Sequence, residues 1–265
     1  MARKLTLGLI ICAVLCLIAV APVRAQSFEA NVGRAQRTLT EIDRLVNTVE
    51  SRQATAPRER GAVSTSVAEG GGWKSLFDGA SLAGWKVTDF FGGGKAHVEP
   101  NYRGGPAAIV VEAGTSLSGI TWTGDAPKTD YEITLEAMKI EGNDFMCGLT
   151  FPVGDSHASL ILGGWGGSRV GISSINERDA SENDTRKYIS FPKDRWFAIR
   201  MRVTPEKLQA WLDDKKIVDV SIVGKKISLR FGEIRKSAPI GLANYQTSSA
   251  FRAIKLRRIG SAPAM

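Results

Sequence analysis

Between residues 131 and 140 the chain reads YEITLEAMKI, with apolar and polar side chains alternating. Tyr131, Ile133, Leu135 and Ala137 fall on one side, and Glu132, Thr134, Glu136 and Met138 on the other, which is the period of a β-strand. RWFAIRMRV at 195–203 repeats the pattern, with Phe197, Ile199, Met201 and Val203 opposite Trp196, Arg200 and Arg202. Shorter runs predict strands at 107–112, 145–151, 157–162, 169–175, 207–212, 215–222, 239–245 and 250–258, parted by Gly, Pro, Asn and Asp turns. No helical period interrupts them. Roughly a dozen short strands predict a mostly β fold, a two-sheet antiparallel sandwich or jelly roll.

The pattern upstream is different. Phe28, Val32, Ala35, Leu39, Ile42, Val46 and Val49 recur at alternating spacings of four and three. That is a heptad stripe, and it predicts an amphipathic helix over 26–53. Three heptads with Ala in the seam make a marginal coiled coil, so residues 28–49 suit either homo-oligomerisation or docking on the domain or an envelope partner. ATAPRERGAVSTSVAEGGG at 54–72 has no period and few large apolar residues, and reads as a flexible linker. The globular domain is expected over 73–260.

Residues 1–25, MARKLTLGLIICAVLCLIAVAPVRA, combine a basic start, an apolar run and a small residue before Gln26. This is the layout of a secretory signal peptide, with export to the periplasm, the envelope or the medium as its consequence. The alternative is an uncleaved anchor, since Leu5 to Val23 is nearly long enough to span a bilayer. Cys12 and Cys16 lie in this segment, which leaves Cys147 alone and no internal disulfide in the processed chain. Within DFMCGLTF, Cys147 reads as a buried inert thiol.

Composition adds little. Apolar residues at 43% and charged residues at 23% are ordinary for a soluble domain. The formal charge of +8 drops by three without Arg3, Lys4 and Arg24, and the remaining basic residues form no stripe with interleaved aromatics. Nucleic acid is therefore not expected as a partner. Nor is there a P-loop, a GxSxG elbow or a paired-cysteine metal site. The run FGGGK at 91–95 lacks the following helix that a phosphate cradle needs.

Candidate chemistry centres on FPVGDSHASLILGGWGGSRVG at 151–171. In an extended strand His157, Ser159 and Ile161 share a face, and a regular continuation would bring Trp165 to it. One reading makes His157 a base or carbonyl-polarising acid and Trp165 a sugar platform. The plainer one makes His157 a rim residue and Trp165 a core plug. Asp155 and Asp144 are the nearby candidate acids, with Glu182 as a third. Asp179, Glu182, Asn183 and Asp184, in NERDASENDTRKY at 176–188, are oxygen ligands of the kind that hold Ca²⁺ or Mn²⁺, although acidic loops are more often just solvated. Arg200 and Trp196 share a strand face and would line a sugar groove or form a surface pair. His97 is expected to be structural.

Three stretches carry a family resemblance. WKSLFDGASLAGWK at 73–86, RWFAIRMRVTPEKLQAWLDDKKIVDV at 195–220 and APIGLANYQTSSAFRAIKLRRI at 238–259 resemble the opening, middle and closing strands of the 3-keto-disaccharide hydrolase family. The resemblance spans about residues 73–260 and implies a concanavalin-like antiparallel jelly roll. It also implies cleavage of 3-keto-glycosides by elimination and rehydration. A ketone at C3 acidifies the C2 proton, a base removes it as the C1 substituent leaves, and water adds to the enone. That chemistry needs a base, a group polarising the carbonyl and a surface for the sugar ring. Two positions depart from the family pattern. A Glu is usual in the strand matching SHASLILG, where this chain offers His157 and Ser159. A His-containing turn is usual where it has Asn244, Tyr245 and Gln246. Three functions stay open: a 3-keto-glycoside-cleaving enzyme using His157 with Asp144, Asp155 or Glu182; a carbohydrate-binding module using Trp165, Asn244 and Gln246; or an architectural envelope protein.

Overall fold

A computed structural model describes residues 72–260. The expected signal segment and amphipathic helix, and all of the linker but its last residue, lie outside the described residues. Among the described residues fifteen strands form two antiparallel sheets. The first contains, in spatial order, β13 (Lys215–Ser221), β12 (Lys207–Leu212), β11 (Trp196–Val203), β6 (Tyr131–Gly142), β15 (Thr247–Arg258), β4 (Ala108–Val111) and β3 (Ala96–Glu99), with β1 (Lys74–Ser75) paired to β15. The second contains β10 (Lys187–Tyr188), β9 (Arg169–Ser173), β8 (Ser156–Gly163), β7 (Cys147–Val153), β14 (Gly241–Tyr245), β5 (Leu117–Trp122) and β2 (Trp85–Val87). The result is a jelly-roll sandwich, as the alternation predicts.

The core lies between the sheets, where the apolar halves of the alternating strands meet. Ile133, Leu135, Phe197, Ile199, Met201 and Phe251 from the first sheet pack with Leu149, Phe151, Leu160, Ile172 and Leu242 from the second. Burying such side chains contributes about 1.5–3 kcal/mol each, and with no disulfide among the described residues this is what holds the sheets together. Tyr131, fully buried in β6, adds a polar tie by donating its hydroxyl hydrogen to the Pro152 carbonyl of β7 at 2.5 Å. Cys147 is buried in the same core, and burial pushes its thiol up to about 12, so it is inert.

Strands β1, β2, β3, β5 and β10 were not expected from the pattern. In β5 every residue after Leu117 is buried on both faces, so period-two contrast is lost. Glu132 also departs from expectation. Its alternation places it on a solvent face, yet it is wholly buried under arginines from two neighbouring strands.

Candidate functional site

Along β8 and β9, Leu160, Leu162 and Ile172 point into the core, so Ser159, Ile161 and Ser173 point out of the second sheet. Water does not simply wash this outer face. The chain from 222 to 240 crosses it, tied down where Ser174 N–H donates to Ser228 O, and where Thr121 Oγ1 and Lys236 Nζ donate to Lys236 O and Asp89 O respectively. Between floor and strap remains a cavity of about 360 Å³. Ser159, Ile161 and Ser173 form its floor; Arg230, Phe231, Glu233 and Ile234 come from the strap; Asp144, Phe145, Trp165 and Tyr245 form the far wall. The size is that of a small-molecule pocket, about 300–1,000 Å³.

Trp165 reaches that wall by an unusual turn. Gly163, Trp165, Gly166 and Gly167 all have positive φ, at 85°, 50°, 88° and 98°. Three of them are glycines, which bear this without a Cβ clash; Trp165 does not, at a cost of about 1–2 kcal/mol. Asp144 secures the turn, accepting Gly166 N–H on Oδ2 at 3.1 Å and Phe145 N–H on Oδ1 at 2.7 Å. A bulky aromatic held in a disfavoured conformation by neighbouring bonds is a feature associated with ligand sites. Arg230 stands 6.0 Å from the Trp165 ring and is anchored by Asp179 at 3.0 Å.

The two carboxylates of the cavity are already engaged. Both oxygens of Asp144 accept backbone N–H groups. Glu233 Oε2 accepts from Lys236 Nζ at 2.8 Å and from Phe91 N–H at 3.0 Å. Those two bonds, the lysine first, hold its carboxyl below the usual range, which weakens it as a base.

The residues singled out from sequence are thus divided. Asp144, Ser159, Trp165 and Tyr245 meet at the cavity. His157 shares the outward face of β8 but lies opposite Pro152, beyond the lining residues. It is half-buried, its imidazole makes no hydrogen bond or ion pair with a described residue, and burial holds that imidazole below the ordinary value of 6.5. Asp155 is an exposed turn residue paired with Lys128 at 2.5 Å. Glu182 is exposed in its loop, away from the cavity lining. Arg200 is on the other sheet, its guanidinium 3.9 Å over the Trp211 ring. Asn244 points inward, fully buried, with Nδ2 donating to Val111 O. Gln246 sits in the β14–β15 turn and donates to Thr115 O. His97 lies 3.9 Å from Glu112 at the first sheet's edge.

The 176–188 loop does not fit a Ca²⁺ or Mn²⁺ site. Asp179 Oδ1 accepts from the Ser181 N–H and hydroxyl while Oδ2 faces Arg230, and Asn183 Oδ1 accepts from the Thr185 N–H and hydroxyl. Among the described residues no three His, Cys, Asp or Glu side chains converge as a metal site. Arg230, Phe231 and Glu233 escaped the sequence reading because ISLRFGEIRKSAP carries no period. A strap is recognisable only once the surface it crosses exists.

Residues 72–257 match the family described as "3-keto-alpha-glucoside-1,2-lyase-like domain". Among curated proteins none matches the chain. In structure the chain is similar to the carbohydrate-binding module CBM66 from Bacillus subtilis, at 12% identity and a TM-score of 0.42, over 64% of this chain and 93% of that one. It is similar to the Crh5 transglycosylase, at 12% identity and a TM-score of 0.46, over 73% and 85%. It is also similar to domain 4 of the arabinanase AbnA from Geobacillus stearothermophilus, at 12% identity and a TM-score of 0.43, over 68% and 84%.

Proposed function

The chain belongs to the 3-keto-α-glucoside-1,2-lyase-like family, and from that membership we propose that it is an exported carbohydrate-active domain that takes a sugar into the cavity over its second sheet. The single observation that carries this is the lining. Ser159 and Ser173 present hydroxyls, Trp165, Phe145 and Tyr245 present ring surface, and Arg230 adds a donor fork. Aromatic faces suit the C–H face of a pyranose, while hydroxyls and guanidinium suit its edge. Export is supported by the layout of residues 1–25.

Binding is the function this geometry supports best, because a base is hard to find. His157 lies outside the lining, Ser159 stands in the strand where the family resemblance expects Glu, and both cavity carboxylates are engaged. The second reading is cleavage of a 3-keto-glycoside, favoured by Arg230 and Glu233 sharing one cavity. There Glu233 would take the C2 proton as the C1–O bond breaks, Arg230 would stabilise charge on the C3 oxygen, and water would then add to the enone.

The deciding experiment incubates the full chain with methyl glucoside and with its 3-keto form, following tryptophan fluorescence and methanol release. Saturable quenching without release keeps the binding function. Release that Glu233→Gln abolishes establishes cleavage. Neither quenching nor release rejects both readings.

A further inference from the structure

The turn that carries Trp165 has two sides. Behind it lies a second hollow of about 350 Å³, lined by Lys139, Asn143, Gly166, Gly167, Tyr188 and Phe191 among others. The two hollows share a wall. Asp144 lines the first and its neighbour Asn143 the second; Trp165 lines the first and Gly166, which Asp144 holds, the second.

Its chemistry differs from that of the first. Lys139 has the parity of core-facing Ala137, so its side chain leaves β6 between the sheets, at the edge of the sandwich beside Phe191. The residue is half-buried, and its ammonium makes no hydrogen bond or ion pair with a described residue. No carboxylate lines the hollow. Asp194 donates its N–H to Lys139 O but commits its carboxylate to Arg103 at 2.5 Å. Desolvation, with Lys193 adding to it, holds the Lys139 ammonium below its ordinary value of 10.5. A cation left without its anion in a concave site is a cost that a ligand anion would remove. Above it Tyr188 is 64% exposed, with the Arg169 guanidinium 5.9 Å from the ring centroid adding further positive charge.

We propose that this hollow is a second subsite, taking a saccharide unit with an anionic substituent (carboxylate, phosphate or sulfate), the anion on Lys139 and the ring on Tyr188. The assignment rests on the reading of the first cavity as a sugar site, and extends it to acidic glycans.

The test titrates the full chain with glucose, glucuronate, glucose 6-phosphate and glucose 6-sulfate by calorimetry. At least one anionic sugar should bind about tenfold more tightly than glucose, the scale of one charge-assisted hydrogen bond. Which one does so identifies the anion. Lys139→Met should erase the preference and Lys139→Arg retain it. Tyr188→Ala, at an exposed position that the fold does not need, should weaken the anionic sugar while leaving glucose unchanged. Anionic sugars binding no more tightly than glucose would overturn the proposal, as would a preference that survives Lys139→Met. Ser159→Leu, which raises an apolar side chain from the floor of the first cavity, separates the two assignments. If glucose binding persists in that variant, the first cavity is not the sugar site. If the anionic preference persists while glucose binding is lost, the second hollow stands on its own.

Discussion

The two outward faces of this sandwich have spent their polar residues in opposite ways. On the first sheet, Glu132 takes Arg202 at 2.6 Å and Arg257 at 2.5 Å, with Arg200 at 3.6 Å, while Glu136 holds Arg252. Two of these arginines stand over tryptophans, Arg200 on Trp211 at 3.9 Å and Arg252 on Trp196 at 4.0 Å. Much of that face is covered by its own side chains, which leave a smaller hollow of about 280 Å³ beside Trp211. On the second sheet the floor residues are small hydroxyls; Ser159 and Thr150 pair at 2.9 Å, and a strap bridges the face without filling it. Charge density alone would have pointed to the first face as functional. Open space points to the second, where the strap leaves a lined cavity of about 360 Å³ over the floor hydroxyls.

Breaking the covered face should have the largest effect. Glu132→Gln leaves the arginines without their shared carboxylate. A loss of about 3 kcal/mol is expected in urea unfolding, the low end for a broken buried pair because Arg200 and Arg202 remain about a third exposed. Sugar binding at the other sheet should be unchanged in the folded variant. A loss of binding there would mean the faces are coupled.

Trp165→Gly tests the open face from the opposite direction. Sugar affinity should fall about tenfold with the stacking surface gone. Stability should hold or rise slightly, since relief of about 1–2 kcal/mol of left-handed strain outweighs the ~0.5–1 kcal/mol entropic cost of glycine. A clear loss of stability would make Trp165 a packing residue instead.

His157 should give the smallest effect. Its folded pKa lies below the unfolded value of 6.5, so the unfolded chain binds more protons between the two. Stability is then unaffected above about 6.5 and declines as pH falls from there toward the folded value. His157→Gln should flatten that decline in urea midpoints measured between pH 7 and pH 5, and should leave sugar binding intact. Binding lost in His157→Gln would return the imidazole to the site.

Much of the fold was legible along the chain because alternation is a local property that burial on one side enforces. The strands from Tyr131 and Trp196 emerge with the faces that their patterns imply, Glu132 excepted. β5 was hidden for the converse reason, being covered on both sides. Of the site, Asp144 and Trp165 were readable as chemistry-bearing residues beside glycines. The strap residues Arg230 and Glu233 were not, since nothing in their neighbours signals what they will lie against.

What the sequence by itself determined, then, is most of the strand set, its inward faces and family membership, all of which follow from residues close together in the chain. Only the tertiary structure decided which polar residues remain available. Arg200 and His157 look equivalent as isolated letters on strand faces. One is consumed by Glu132 and Trp211 on the first sheet, and the other lies past the edge of the cavity on the second. Availability depends on partners distant in the chain, such as Glu132 under Arg257 or Asp144 under Gly166, and pairings of that kind exist only after the sheets have closed.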